Sequence, residues 1–245
     1  MKVAFISGAG GGIGSATVKK FISEGYFVVG QYNKNKVGIE NLVSELKLQG
    51  KADYFFAVQC DFNDKDQIQN MLSVINKSFK RIDVIVNNAG AGLYKLITDT
   101  SEQEWDSLFN VNVKSAFLVN NAFLSGMINA QKGKIINVSS IWGNVGASME
   151  VAYSASKSAL IGYTKALAKE LAPSGICVNC VCPGVIDTPM NSRFNESEIQ
   201  ELKDQTPLGR LGKTQEIADL IYYLASDSAD FITGQVITCD GGLTL

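Results

Sequence analysis

Val3-Ala4-Phe5-Ile6-Ser7-Gly8-Ala9-Gly10-Gly11-Gly12-Ile13-Gly14 opens the chain, and Ser15-Ala16-Thr17-Val18-Lys19-Lys20-Phe21-Ile22 follows it. Val3 to Ser7 is a short apolar run, which predicts a buried strand. The apolar residues after Gly14 fall at helical spacing. Strand, glycine turn and helix in immediate succession form the context that a dinucleotide-binding loop requires. The glycines permit a tight turn and let the backbone approach a pyrophosphate. The helix start then offers unpaired N–H groups and a favourable dipole to that anion. Gly8, Gly12, Ile13 and Gly14 are the residues expected to touch it; without the flanking strand and helix, the same run would read only as a surface turn.

The alternation continues to the end of the chain. Strands are predicted at 26–32, 54–59, 82–86, 134–138, 176–182 and 235–239, and helices at 36–48, 64–79, 101–130, 153–171 and 214–225. Such alternation implies an α/β fold, a doubly wound, parallel, seven-stranded sheet of the Rossmann type. A chain of 245 residues with 46% hydrophobic content can bury a full core. With only four prolines and no repeat or low-complexity tract, residues 1–245 read as a single domain. The polar stretch at about 187–205 reads as a substrate lid rather than a packed element.

Ligands bind such sheets outside the carboxyl ends of the strands, and the candidate residues gather there. The second strand ends in Gly30-Gln31-Tyr32-Asn33, with no acid to bind the ribose 2′-hydroxyl of NAD, and Lys34 and Lys36 follow. A missing carboxylate and nearby lysines favour NADP(H) over NAD(H), with Asn33 and Lys34 as contacts. If the lysines are ordinary solvated charges, NAD(H) stays open. Asp61, in Cys60-Asp61-Phe62, is placed to accept from an adenine amino group. Asn88-Ala89-Gly90 ends the fourth strand with small residues that suit close approach of nicotinamide and ribose. Pro183-Gly184-Val185-Ile186-Asp187-Thr188 ends the sixth. Asn112 stands among apolar neighbours in a long helical run, either in a structural role or holding a water near a lysine.

The chain has no histidine, so the commonest general acid is missing. Tyr153 and Lys157, four residues apart, share one face of a helix. An ammonium beside a phenol favours the phenolate and lowers the tyrosine pKa toward a working range. Ser140, thirteen residues before the tyrosine and at a strand end, is placed to hold a carbonyl oxygen against that phenol. A pair with this spacing is common by chance; its weight comes from the cleft around it.

Other function classes fall away. The formal net charge is −2 with no long basic block, so neither nucleic acid nor an anionic membrane is the expected partner. No stretch is long enough to span a bilayer, and the first apolar run is too short for a signal peptide. A cytoplasmic location is expected. The cysteines Cys177, Cys180 and Cys182 lie in an alternating apolar run without histidine or a second cluster, which suits buried reduced thiols and not a metal site.

Together, Ser7-Gly8-x-x-x-Gly12-x-Gly14, Asn87-Asn88-Ala89-Gly90, Asn112, Ser140, Tyr153-x-x-x-Lys157, Pro183-Gly184 and Thr188 resemble the short-chain dehydrogenase/reductase family over essentially the whole chain. Ser7 departs from the usual threonine, and Gly11 stands where NADP-preferring relatives often carry a basic residue. The resemblance implies that Tyr153 exchanges a proton with the substrate oxygen, that Ser140 orients the carbonyl, and that Lys157 binds the nicotinamide ribose and lowers the tyrosine pKa. It implies that Asn112 anchors a water linking Lys157 to solvent. It also implies a homotetramer built through the two long helices and the last strand.

Within the family, Tyr153-Ser154-Ala155-Ser156-Lys157 and Phe231-Ile232-Thr233-Gly234 are most similar to 3-oxoacyl-(acyl-carrier-protein) reductases. The stretch from Ser139 to Glu150, with Trp142, looks more like the group that reduces a 5-aminopentanone adduct on elongation factor P. Glu150 would suit a cationic amine there, and Ser174 replaces an arginine that would meet an acidic carrier. The plain alternative for Glu150 is a surface charge favoured by a helix N-terminus. The expected substrate is therefore a ketone, carried on acyl carrier protein or on elongation factor P, with Ser140, Trp142 and Glu150 as its contacts. An NAD-dependent alcohol or sugar dehydrogenase and a non-catalytic NAD(P)-binding protein are the other readings.

Overall fold

The computed structural model describes residues 1–191 and 194–245. Among them, seven strands form one sheet in the order β3-β2-β1-β4-β5-β6-β7, every neighbour pair parallel. The strands are β1 (Val3–Ile6), β2 (Phe27–Tyr32), β3 (Phe55–Gln59), β4 (Val84–Asn87), β5 (Gly133–Val138), β6 (Ile176–Pro183) and β7 (Val236–Cys239). The expected doubly wound sheet is present, with predicted strand limits displaced by one or two residues.

Alternation along each strand feeds two cores. Ala4 and Ile6 of β1 pack on one face with Val18, Phe21, Leu42, Ile217 and Ile221, under helices α1 (Gly12–Ser23), α2 (Lys36–Leu48) and α9 (Thr214–Ala225). Phe5 points the other way, into a core with Met71, Ile75, Phe123, Ile135 and Leu167, under α3 (Lys65–Ser78), α5 (Ser115–Ala130) and α7 (Val151–Leu171). A sheet covered on both faces needs apolar side chains at every strand position, which is why its strands read as continuous apolar runs. The chain reverses its winding between β1 and β4, which lie side by side. Loops leaving those strands diverge there and open a crevice.

Local signals set the helix starts. The Asp64 carboxylate accepts from the Asp66 and Gln67 N–H groups at the start of α3. Ser101 and Glu104 form a reciprocal capping box at α4 (Glu102–Phe109). One expectation needs correction. The run 101–130 is not one regular helix: α4 passes into a π-helical turn at Asn110–Lys114 and then into α5. The extra residue in that turn carries Asn112 inward, where it is 1% exposed. The stretch at about 187–205 also holds regular structure, the helix α8 (Glu196–Gln205), started by an Asn195/Glu198 capping box. None of its residues is buried, in keeping with a segment lying over the body. Ser192 and Arg193, within the same stretch, lie outside the described residues.

Phe5 is fully buried and its ring meets Phe123 at 5.7 Å between centroids. Phe5→Ala is expected to cost about 3–5 kcal/mol, read as a lower urea midpoint at unchanged m-value; a cost below about 1 kcal/mol would show that this core can collapse around the gap.

Candidate active site

The crevice is lined first by the glycine loop. Gly8 has φ +70°, a conformation that favours glycine, and a Cβ at Gly14 would run into the Gly8 carbonyl oxygen. A Cβ on Gly12 would come within 2.7 Å of Thr188. The loop therefore folds on itself and lets the segment after β6 close over it. Helix α1 starts here with no side-chain cap, so its first N–H groups face the loop as an anion site. The residues present fit a dinucleotide pyrophosphate.

Two side chains to which sequence reasoning gave no role, Gln31 and Asn35, fix this loop together with Ser7 and Asn88. The buried Gln31 accepts from the Gly8 N–H at 3.0 Å and donates to the Cys60 carbonyl at 2.7 Å, tying β1, β2 and β3 together. Asn35 donates to the Gly10 carbonyl at 2.5 Å and accepts from the Gly38 N–H. The Ser7 hydroxyl accepts from the Asn88 and Ala89 N–H groups at 3.0 and 2.9 Å, and Asn88 returns a bond to the Ser7 carbonyl. Gln31, within β2, entered the sequence reading only as part of a strand end without an acid.

At the adenosine end, Asn33 follows β2 and its carbonyl accepts from Gln59. Lys34 is exposed, whereas Lys36 pairs with Glu40 at 3.7 Å. Asp61 accepts from Asn63. The Phe62 ring is buried in the core, as is Ile186, so only their backbones are available to a ligand. Gly184, directly after Pro183, donates to the Cys239 carbonyl at 3.0 Å, and the Val185 carbonyl accepts from Gly212 at 3.0 Å.

The catalytic candidates meet where β4 and β5 end. Lys157 is 3% exposed; its ammonium donates to the Val138 carbonyl at 2.9 Å and sits 5.7 Å from the centre of the Tyr153 ring. Gly90 leaves it room, since a Cβ there would stand 3.2 Å from the lysine Nζ. Burial pushes Lys157 down to about 8, against an opposing pull from Cys180 and Cys182 behind it. Asn112 donates to the Ala91 carbonyl and to the Ser156 hydroxyl at 3.0 and 2.9 Å, and accepts from the Ala91 N–H at 2.8 Å. Ser139 and Ser140 divide the work. Ser139 is spent on the Lys157 carbonyl at 2.8 Å. Ser140 accepts from the Trp142 N–H at the start of α6 (Ile141–Val145), which leaves its own hydrogen to donate to a substrate oxygen.

Trp142 is half-buried on α6. Glu150 is 6% exposed, which corrects the surface-charge alternative: this carboxyl starts α7 from within the fold. It follows Met149, at φ +65°, whose carbonyl accepts from the Lys95 N–H at 2.6 Å. The loop after β4 is thereby tied to the loop before α7. The thiols of Cys60, Cys180 and Cys182 are buried, and burial raises that of Cys60 to about 12. Among the described residues no group of three His, Cys, Asp or Glu side chains could hold a metal ion.

A family model described as enoyl-(acyl carrier protein) reductase matches residues 8–244. The chain belongs to the short-chain dehydrogenase/reductase family. It is 41% identical to a 3-oxoacyl-(acyl-carrier-protein) reductase of Thermotoga maritima over 245 residues, covering 100% of this chain and 98% of that protein. It is 37% identical to the reductase of the same name from Staphylococcus aureus over 242 residues, 99% and 98% of the two chains. It is also 40% identical, over 98% of each chain, to an uncharacterized Bacillus subtilis oxidoreductase, YmfI. Membership makes the chain an NAD(P)-binding oxidoreductase acting on C=O and CH–OH groups.

Lys157 titrates at about 8 in the folded chain against 10.5 unfolded. Between those values the unfolded state holds the extra proton, so this group's contribution to stability rises with pH across the window. The wild-type apoprotein is expected to gain on the order of 1–3 kcal/mol relative to Lys157→Met as pH is raised from 8 to 10.5. Urea midpoints measured at both ends would test it; parallel pH dependence in the two proteins would refute the buried-ammonium assignment.

Proposed function

We propose that this chain is an NADPH-dependent reductase that converts the ketone of a 3-oxoacyl thioester, carried on acyl carrier protein, to a secondary alcohol. The observation that carries the reading is the meeting of Ser140, Tyr153, Lys157 and Asn112 at one strand-end crevice beside a glycine cradle. The names of the relatives from Thermotoga maritima and Staphylococcus aureus support the substrate class.

The bound dinucleotide supplies a hydride to the carbonyl carbon. The rest is work for the chain. Ser140 donates a hydrogen bond to the carbonyl oxygen, and Tyr153 delivers the proton that the new alkoxide takes. Lys157, still about 90% charged one pH unit below its pKa, favours the phenolate left behind and reaches the nicotinamide ribose. Asn112, on the π-helical turn, borders the lysine from the far side and is the place where a water enters the proton relay. Gly8, Gly12, Ile13 and Gly14 hold the pyrophosphate; Asp61 and Phe62 bound the adenine; Asn88, Ala89, Gly90 and Pro183 to Thr188 enclose the nicotinamide half. Lys34, exposed and beside a strand end without an acid, supports NADPH over NADH.

A second reading has a specific observation behind it. Glu150 places a buried carboxyl three residues before Tyr153, which suits a cationic ketone such as an aminopentanone adduct on elongation factor P. The cellular setting is the cytoplasm; among the described residues no helix is long and apolar enough to cross a membrane. Phe117 and Ile128 on α5 and Phe231 before β7 stay exposed, apolar surface that a homotetramer would cover.

Purified protein is expected to oxidise NADPH with acetoacetyl-coenzyme A, with NADH at least about ten-fold poorer in kcat/KM. Tyr153→Phe should lose turnover by about a hundred-fold or more while still binding NADPH; full turnover by that variant would mean another group is the acid. Glu150→Gln should leave the neutral thioester unaffected. If it cuts kcat/KM only for an aminoketone, and wild type turns over only that ketone, the second reading replaces the first.

A further inference from the structure

We propose that Ser156 is a positioning residue for the proton relay, holding the Asn112 side chain in register with Lys157. The proposal rests on the reading of Tyr153, Lys157 and Asn112 as the proton-handling group. Ser156 is fully buried on α7, one residue before Lys157. Its hydroxyl donates to the Tyr153 carbonyl at 2.7 Å and accepts from Asn112 Nδ2 at 2.9 Å.

The valences make the arrangement directional. A hydroxyl has one hydrogen. The hydrogen of Ser156 is committed within α7, so toward Asn112 the oxygen acts as an acceptor. The Asn112 amide has two N–H donors and one carbonyl oxygen. Both donors are used, on Ala91 and Ser156, and the oxygen takes the Ala91 N–H. The two bonds to Ala91 pin the amide edge to the loop after β4, and the bond to Ser156 pins its other corner to α7. Together they fix its tilt.

That tilt matters because the Asn112 oxygen and the Lys157 ammonium border the same gap. A Cβ placed on Gly90 would lie 3.2 Å from Lys157 Nζ and 3.6 Å from Asn112 Oδ1. Asn112 reaches this place through the π-helical turn, whose wider i→i+5 spacing carries its side chain inward, and the side-chain bonds then set the amide's orientation. Without the Ser156 oxygen, a buried Asn112 N–H loses its acceptor, and such a group turns to find another. The amide oxygen then moves relative to the lysine, and the path that reprotonates the Tyr153–Lys157 pair lengthens.

The test is steady-state kinetics with NADPH and acetoacetyl-coenzyme A on Ser156→Ala, Ser156→Cys, Asn112→Ala and the double variant Asn112→Ala/Ser156→Ala, with Tyr153→Phe as control. Cysteine keeps the volume but is a weak acceptor, so it separates the hydrogen bond from packing if the alanine variant folds poorly. Ser156→Cys is expected to lower kcat about ten-fold, to raise the solvent deuterium isotope effect on kcat, and to leave both KM values within about two-fold. In the Asn112→Ala background, removing Ser156 should have almost no further effect. The proposal is overturned if Ser156→Cys keeps wild-type kcat and isotope effect. It is also overturned if its loss is undiminished in the Asn112→Ala background, or if activity falls only with melting temperature at an unchanged isotope effect. Turnover retained by Tyr153→Phe would instead overturn the reading beneath it.

Discussion

A lysine ammonium taken out of water organises this molecule. Lys157 is 3% exposed, and its hydrogen bond to the Val138 carbonyl replaces only part of what water would give it. Desolvation lowers its pKa to about 8, which is a statement that the fold is less stable for holding the charge. At low local dielectric, a cation beside a phenol acts more strongly than the same pair would in solvent. The surroundings keep it in place: Ser139 binds its backbone carbonyl, Gly90 leaves space for its head, and a Cβ on Gly143 would come within 2.9 Å of its carbonyl carbon. Small residues cluster around it because a long side chain must thread between packed elements.

Beneath the lysine lies a polar layer where an apolar core would be expected. Asn87 on β4 donates to Asn120 on α5 and to Asn137 on β5; Asn120 reaches the Tyr163 hydroxyl, and Asn137 reaches Thr164, both on α7. This network joins two strands to α5, which continues from the π-helical turn holding Asn112, and to α7, which carries Lys157. Hydrophobic contacts alone tolerate small slides, whereas a hydrogen-bonded chain in low dielectric accepts few arrangements. The Asn87 oxygen is the one buried side-chain acceptor without a partner among the described residues. The layer gives up some stability for a defined relation between strand ends and helix faces.

What the sequence revealed followed physical periodicity. The glycine loop was legible because strand, turn and helix signals fall within one short stretch, and the parallel sheet because each strand is apolar on both faces. The Tyr153–Lys157 pair was legible through helix geometry. Other features leave no local signal. A π-helical turn adds one residue at Asn110–Lys114, where no glycine or proline marks it, so 101–130 read as one helix. Gln31 gave no hint that its side chain would hold the Gly8 N–H, because that contact joins adjacent strands distant in sequence. For Glu150 the sequence left a pocket carboxylate and a surface charge both open, because a carboxylate before a helix is ordinary; the bond from the Lys95 N–H to the neighbouring Met149 carbonyl joins loops distant in sequence. Short-range chemistry was readable, and contacts between strand-end loops were not.

Rigidity divides along a similar line. Tyr153 and Lys157 stand on α7, which has a full core behind it and must open nearly globally before it shifts. The segment over the crevice is different: α8 buries none of its residues, and its ends are held by backbone bonds, Asp187 to Gly212 and Leu208 to Gly241. Few apolar contacts must be lost for such a segment to change position, so its local stability is lower than that of the body. Glu150 belongs to the rigid side of that division: its carboxyl is buried at the start of α7, so its position is set by the packed body of the fold and not by α8.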